Sequence, residues 1–146
     1  MRMVDPRQPR FGQAVTGLAL AIAFVLDLRA AIPALAVVLA GASLLGAPGN
    51  LYAWAFRALR PMLEPPAELE EAAPPRFANT LGFLFLAAAS VLLLAGVPAV
   101  AWGLALLVSG LALLAAVTGL CVGCELYVIA RRTLARDRRQ AATPRA

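Results

Sequence analysis

Four long apolar segments dominate this sequence and restrict the folds that are open to it. They occupy residues 11–28, 30–46, 77–96 and 99–118. Each has roughly the 17–25 residues that a helix needs to cross a lipid bilayer. Hydrophobic residues make up 62% of the chain and charged residues 14%, whereas soluble proteins average about 45–50% and 25%. Because a soluble domain of 146 residues cannot hide that much apolar surface, we expect lipid to surround these segments.

Polar and proline-rich stretches between the apolar segments predict two helix hairpins in tandem. The expected organisation is an N-terminal arm at 1–10, a first hairpin at 11–63, an acidic loop at 64–76, a second hairpin at 77–132 and an arginine-rich tail at 133–146. The first hairpin is expected to end in a short interfacial helix, because Arg57 and Arg60 lie beside aromatic residues, as in helices of the headgroup region. An extension of the second span is the alternative there. The predicted fold is an all-α integral membrane protein with four transmembrane helices.

The placement of the arginines predicts the orientation in the membrane. All 13 basic residues are arginines, and the net charge is +5. With four spans, twelve of the 13 fall on the side that holds both chain ends, and Arg29 alone falls on the other. Positively charged loops stay in the cytoplasm, so both termini are expected to be cytoplasmic. This charge flanks apolar spans and does not form one basic face, which argues against a nucleic acid as partner.

The two hairpins resemble each other in sequence. The motif Arg-Phe-Gly-Gln at 10–13 matches Arg-Phe-Ala-Asn at 76–79, and extending the match places 121–125 on 46–50. This predicts a parallel repeat with a pseudo-twofold axis along the membrane normal, although alanine- and leucine-rich spans also resemble each other by chance. The amide side chains that close the two motifs are expected to cap helices.

Cys121 and Cys124 form the one motif that points to chemistry. The chain has two cysteines and no histidine, which excludes histidine-based catalysis. On a helix, residues at this spacing share a face with Cα atoms about 5–6 Å apart, a separation that suits a disulfide. The repeat places the pair near the cytoplasmic interface, where a permanent disulfide is not expected, so a pair that cycles between dithiol and disulfide is the leading hypothesis. Glu125 is the candidate proton acceptor, and Gly119 and Gly123 would permit a bend or a close helix contact.

The cysteine pair is also compatible with two roles that involve no redox cycle. Cysteine packs in helices as a small apolar residue, so the chain could be a membrane scaffold or accessory subunit without enzymatic activity. The pair could also contribute to a metal site between subunits, since two thiolates cannot complete a four-ligand site in one chain. No cofactor is expected. The expected partners are the lipid bilayer, a second copy of the chain, and a soluble thioredoxin-like or sulfurtransferase-like protein that docks near the tail.

Three motifs resemble a known family. They are Val4-Asp5-Pro6-Arg7 with Arg10-Phe11-x-Gln13, then Pro74-Pro75-Arg76-Phe77-Ala78, and then Thr118 to Tyr127 with both cysteines. Over roughly residues 4–132 the chain resembles the bacterial membrane family called domain of unknown function 4395. The resemblance implies a four-helix, multi-pass protein of the bacterial cytoplasmic (inner) membrane with a cysteine pair. It implies no reaction, because the family has no established activity.

Overall fold

The computed structural model describes residues 3–59, 61 and 70–141, and this part of the chain is almost entirely helical. Its helices are α1 (Arg7–Val25), α2 (Ala31–Ala40, continued by a π-helical turn at Gly41–Leu45), α3 (Leu51–Leu59), α4 (Ala73–Leu94), α5 (Pro98–Thr118) and α6 (Val122–Ala141). Two short strands, β1 (Met3–Val4) and β2 (Glu70–Glu71), pair antiparallel and join the N-terminal arm to the segment before α4. The prediction of an all-helical fold is confirmed, apart from this pair of two-residue strands.

The boundary regions of the prediction are only partly described. Residues 64–69 of the predicted acidic loop at 64–76 lie outside the described residues, and α4 already begins at Ala73. Pro74 and Pro75 lie in its first turn, where the missing N–H group costs no helical hydrogen bond. The predicted interfacial helix corresponds to α3, which covers Leu51–Leu59. Tyr52 and Phe56 are buried in α3, whereas the side chain of Trp54 is exposed beneath the Arg57 guanidinium, 5.4 Å from the ring centre.

Among the described residues, α4 and α5 are the two helices that are long and apolar enough to cross a membrane. They contain 22 and 21 residues, which is about 33 and 31 Å against a bilayer core of about 30 Å. The predicted count of four such helices is therefore too high. The first turns of α1 are polar, and the apolar helix Ala31–Leu45 is only about 22 Å long.

The helices form a bundle in which each hairpin packs against the other. α1 lies along α5 and α2 lies along α4, while α4 also contacts α5. Leu20, Ile32 and Leu86 are fully buried at these contacts. Fully buried alanines, Ala89 in α4 and Ala101 in α5 among them, let the helix backbones approach closely. The bundle core is therefore built from small residues and a few branched ones.

Two of the buried hydroxyls, those of Thr16 and Ser109, are paired across helices. The Ser109 hydroxyl of α5 donates to the carbonyl of Gly17 in α1 at 2.7 Å. The hydroxyls of Thr16 in α1 and Tyr52 in α3 share a hydrogen bond of 2.5 Å. Gly12 leaves room for the Tyr52 ring, because a methyl group at Gly12 would lie 3.0 Å from it. These contacts hold α1 against both α5 and α3.

The two hairpins use the same turn. In each turn, three successive backbone N–H groups donate to the carbonyls four, three and five positions back, in that order. The bonds are Leu26 to Ile22, Asp27 to Phe24 and Leu28 to Ala23 in the first turn, and Ala95 to Val91, Gly96 to Leu93 and Val97 to Leu92 in the second. The central residues, Asp27 and Gly96, have positive φ angles of 48° and 78°. The sequence resemblance of the hairpins thus extends to their backbone geometry.

Candidate thiol site at the start of the last helix

A sharp break separates α5 from the cysteine pair. Gly119, the residue after α5, has a left-handed φ of 77°, which favours glycine. The Gly119 N–H donates to Ala115 O at 2.9 Å, and the Thr118 hydroxyl accepts the N–H of Leu120 at 3.1 Å. Four residues later, a methyl group at Gly123 would lie 2.9 Å from the Ala78 Cβ of α4. The expected bend and the expected close helix contact are both confirmed.

Cys121 is the N-terminal cap of α6. Its carbonyl accepts the N–H of Glu125 at 3.0 Å, and its sulfur accepts the N–H of Cys124 at 3.4 Å. The first N–H groups of a helix have no partner within the helix, and the Cys121 Sγ atom occupies the place of a capping oxygen. The expected shared helix face is thus corrected: Cys121 lies just before the helix, and Cys124 lies in its first turn, with its thiol hydrogen-bonded to Cys121.

The surroundings of Cys121 stabilise its thiolate. The hydrogen bond with the Cys124 thiol lowers the pKa of Cys121 most; the backbone N–H groups of Cys124 and Gly123 and the Gln13 amide lower it further, while burial opposes them. The result is a pKa of about 6, below the usual value near 8.5. The positive end of the α6 dipole acts in the same direction. At neutral pH Cys121 is therefore largely a thiolate, the form of cysteine that reacts.

Gln13 is the site residue that the sequence interpretation missed. It lies within α1 and does not cap it. Its Nε2 atom donates to Cys121 Sγ at 3.4 Å, across 108 positions of the chain. The sequence feature that could have pointed to Gln13 is its match with Asn79 at the same position of the two repeated motifs.

The first half of the molecule contains the same helix start without sulfur. Asn50 caps α3: its Oδ1 atom accepts the N–H of Ala53 at 3.1 Å, and its carbonyl accepts the N–H of Trp54 at 3.2 Å. Cys121 makes the equivalent two bonds for α6. The structural counterpart of Cys121 is thus Asn50, whereas the sequence match had placed it on Gly46.

Aromatic contacts agree with this correspondence. Phe11 of α1 packs on Phe56 of α3 with ring centres 6.0 Å apart. Phe77 of α4 packs on Tyr127 of α6 with ring centres 5.6 Å apart. Phe56 and Tyr127 hold the same position in their helices when Asn50 and Cys121 are superposed as caps. The α1–α3 and α4–α6 contacts are therefore equivalent.

An arginine from each hairpin packs on the helix end of the other. The Arg76 guanidinium donates to Ser43 O at 3.0 Å and lies beside Gly46, where the helix begun by α2 ends. The Arg10 guanidinium lies beside Gly119 at the end of α5, so close that a methyl group there would be 2.6 Å from it. A cation at a helix C-terminus interacts favourably with the last carbonyls. Arg10 thereby supports the break that precedes Cys121.

Glu125 lies in the first turn of α6 with an exposed side chain. Its role as a proton acceptor stays a prediction. Arg131, farther along α6, pairs with Glu71 of β2 at 3.4 Å, and this exposed ion pair links the last helix to the β1–β2 pair.

Two cavities meet beside the thiol site. One, of about 260 Å³, lies between α1, α4, α5 and α6 and has Cys121 in its wall. The other, of about 540 Å³, is lined by residues of the N-terminal arm, the α2–α3 connection and the start of α4. Gly12, Gln13 and Asn79 line both. Cys121 therefore borders a cavity within the bundle.

Fold and site together define a helical-bundle protein that carries a cysteine pair at the start of a helix. The chain belongs to the family described as a domain of unknown function (DUF4395), whose family model matches residues 4–132. This confirms the resemblance seen in the sequence. No curated protein and no solved structure matches the chain.

Proposed function

We propose that this chain is a membrane-embedded thiol–disulfide redox protein in which Cys121 and Cys124 cycle between dithiol and disulfide. The observation that carries the proposal is the thiol cap of α6. Asparagine and serine cap helices well and are common there, and the first half of the molecule uses Asn50. A cysteine in the equivalent place, with a second cysteine in the first turn of α6, departs from this capping preference. Such departures are expected where a residue is needed for function.

The membrane part of the proposal rests on exposed apolar surface. Only 11% of the apolar stretch of α4 and 33% of that of α5 is buried within the protein. Helices that are apolar all round and so little covered are stable in lipid. α1 and α2 pack along them, so we include both shorter helices in the embedded bundle. The polar first turns of α1 then reach the headgroup region.

We propose, from the distribution of the arginines, an orientation with the thiols at the cytoplasmic face. Arg10, Arg76 and Arg131 lie at the end of the bundle that carries the cysteine pair, against Gly119, Gly46 and Glu71. This is the distribution of a cytoplasmic surface of the inner membrane. A soluble thioredoxin-like or sulfurtransferase-like protein is the proposed exchange partner, because it reaches that face and carries the matching sulfur chemistry.

The low pKa of Cys121 sets the direction of exchange. A thiolate of a partner dithiol attacks the Cys121 sulfur of the disulfide, and Cys124 leaves as a thiolate. The second partner thiol then attacks the partner sulfur in this mixed disulfide and releases Cys121. The partner becomes a disulfide and this chain a dithiol. A stabilised thiolate is a good leaving group and makes its disulfide more oxidising. Glu125 is proposed to exchange protons with Cys124.

A redox titration tests this function. The full-length protein in lipid nanodiscs is equilibrated with glutathione or dithiothreitol buffers, and reduced thiols are counted by mass-tagged alkylation. We expect one two-electron transition with a midpoint between about −320 and −220 mV, lost in both Cys121→Ser and Cys124→Ser. Thiols that stay reduced across the range would favour the non-enzymatic scaffold. Thiols shielded in both buffers, with metal in the purified oligomer, would favour the intersubunit site.

A further inference from the structure

We propose that the 260 Å³ cavity beside Cys121 binds the ring of a lipid-soluble quinone, which accepts two electrons from the cysteine pair. This inference rests on the proposed redox function and adds the substrate class that reoxidises the site.

The walls of the cavity suit an apolar ligand. They are formed by aliphatic and aromatic side chains of the bundle, and among them are Leu39, Phe85, Val108, Leu111 and Leu126. Phe85, Leu111 and Leu126 are 38%, 39% and 50% exposed, so the cavity reaches the outer surface of the bundle. Phe85 and Leu111 belong to α4 and α5, the helices long enough to cross a membrane. In a bilayer, this opening faces lipid.

Two amides give the cavity a polar end. Gln13 already donates one N–H to Cys121 Sγ. The Asn79 side chain lines the same cavity and makes no hydrogen bond within the described part of the chain. An amide N–H on an apolar helix can donate to a carbonyl of a ligand. A quinone ring carries two carbonyls, whereas the hydrocarbon part of an acyl chain carries none. The pairing of a free donor with apolar walls is typical of small-molecule sites.

The size of the cavity fits one ring. Pockets for larger, drug-sized ligands run from about 300 to 1,000 Å³, so 260 Å³ accommodates a single quinone ring. An isoprenoid or alkyl tail would leave through the lateral opening beside Leu111 and Leu126. This arrangement brings the ring against Cys121, which also lines the cavity.

The reaction balances without a further oxidant or reductant. Starting from the Cys121 thiolate and the Cys124 thiol, the pair loses two electrons and one proton as the sulfurs form one disulfide bond. The quinone takes up these two electrons and this proton, together with a second proton from water, and becomes a hydroquinone. With the exchange described above, electrons pass from a cytoplasmic dithiol to a membrane-soluble carrier.

The test uses decylubiquinone and the reduced full-length protein in nanodiscs. Quinone absorbance and mass-tagged alkylation are followed together, and one quinone is expected to be reduced for each disulfide formed. Ala112→Phe fills the cavity, whose wall includes Ala112, and should slow this reaction at least about tenfold. Ala99→Phe adds the same ring at an exposed position at the other end of α5 and should change the rate less than about twofold. Asn79→Leu, which removes the free donor and keeps the wall apolar, should also slow it.

Diamide, a water-soluble thiol oxidant, separates the two proposals. It should form the disulfide at the same rate in the wild-type, Ala112→Phe and Ala99→Phe proteins. If diamide forms the disulfide but decylubiquinone does not, the quinone inference is overturned and the redox function stands. Equal quinone rates in Ala112→Phe and wild type overturn the assignment of the cavity. If diamide forms no intramolecular disulfide, the redox function fails and the inference fails with it.

Discussion

At the scale of single residues, the reactivity of the site depends on the groups that hydrogen-bond to one atom, Cys121 Sγ. Three of them are supplied by the start of α6, and Gln13 comes from α1. Each donor favours the thiolate over the thiol. Removing a donor should therefore raise the pKa of Cys121.

Gln13→Leu provides the first test. Loss of the amide donor should raise the pKa of Cys121 above about 6, so that alkylation by iodoacetamide at neutral pH slows. The pH dependence of the rate at Cys121, read by mass spectrometry of the labelled peptide, measures the change. Asn79→Leu removes the corresponding amide of α4 and should leave that pKa in place. Equal profiles in wild type and Gln13→Leu would contradict the role of Gln13.

The same shift has a consequence for stability. Because the folded state lowers the pKa of Cys121 to about 6, the thiolate stabilises the fold fully above the usual thiol pKa of about 8.5. That contribution is lost as the pH falls through about 6, and it should vanish in Cys121→Asn.

Cys121→Asn tests the thiol as a helix cap. Asparagine should restore the cap that Asn50 provides for α3, whereas Cys121→Ala removes the acceptor and should cost about 1 kcal/mol relative to Cys121→Asn. Thermal unfolding in detergent, followed by circular dichroism, compares the two variants. Equal stability of the two would show that the sulfur does not cap α6.

The cysteine spacing identified the pair as a candidate site, but the local geometry of the pair could not be predicted from it. The pair was expected on one helix face, because residues three positions apart in a helix share a face. The left-handed Gly119 moves the helix start to Val122 and turns Cys121 into a cap. The contact with Gln13 depends on how α1 packs, which no local pattern encodes.

At the scale of elements, the break between α5 and α6 controls the site. Gly119 combines a φ of 77° with close packing of the Arg10 guanidinium, so any side chain there meets backbone strain and displaces the guanidinium.

Gly119→Ala should therefore destabilise the protein by at least about 1 kcal/mol and lower the reactivity of Cys121. Gly110→Ala is the matched control, because Gly110 lies inside α5 and a methyl group there would meet no atom within 4 Å. It should be neutral or stabilising by up to about 1 kcal/mol. The unfolding temperature measures the change in stability, and the rate of Cys121 alkylation measures the change in reactivity. Equal values of both in Gly119→Ala and Gly110→Ala would contradict this account.

The equivalence of α3 and α6 predicts that the site can be moved. In a chain carrying Cys121→Asn and Cys124→Ala, the changes Asn50→Cys and Ala53→Cys place a pair at the start of α3. This pair should form a disulfide with diamide, because the backbone geometry is the same. It should react poorly with decylubiquinone, since the small apolar cavity lies beside α6. Failure to form the disulfide would contradict the structural equivalence.

The elements themselves were largely predictable. The apolar segments correspond to α1, α2, α4 and α5, and their hairpin pairing follows from short turns. The register of the repeat beyond the turns was wrong, since Cys121 matches Asn50 and not Gly46. The connections have different lengths in the two halves, and a sequence match in alanine- and leucine-rich helices cannot locate such insertions.

At the scale of the whole molecule, composition predicts that lipid surrounds the protein. The apolar segments, however, overestimate the number of helices that are long enough to cross a bilayer. Among the described residues, only α4 and α5 are long and apolar enough to cross a membrane. α1 brings its polar turns into contact with the thiol site through Gln13. The polar start of α1 is thus explained by the hydrogen bond that Gln13 makes with the thiol site.

The central claim is that a reactive cysteine pair lies at the cytoplasmic face of a membrane protein. A membrane-impermeant, mass-adding maleimide applied to sealed vesicles of opposite orientation tests it most directly. We expect two tags on inside-out vesicles after reduction, none after oxidation with diamide, and none on right-side-out vesicles in either state. Tags on right-side-out vesicles, or two tags on inside-out vesicles regardless of oxidation, would contradict the account.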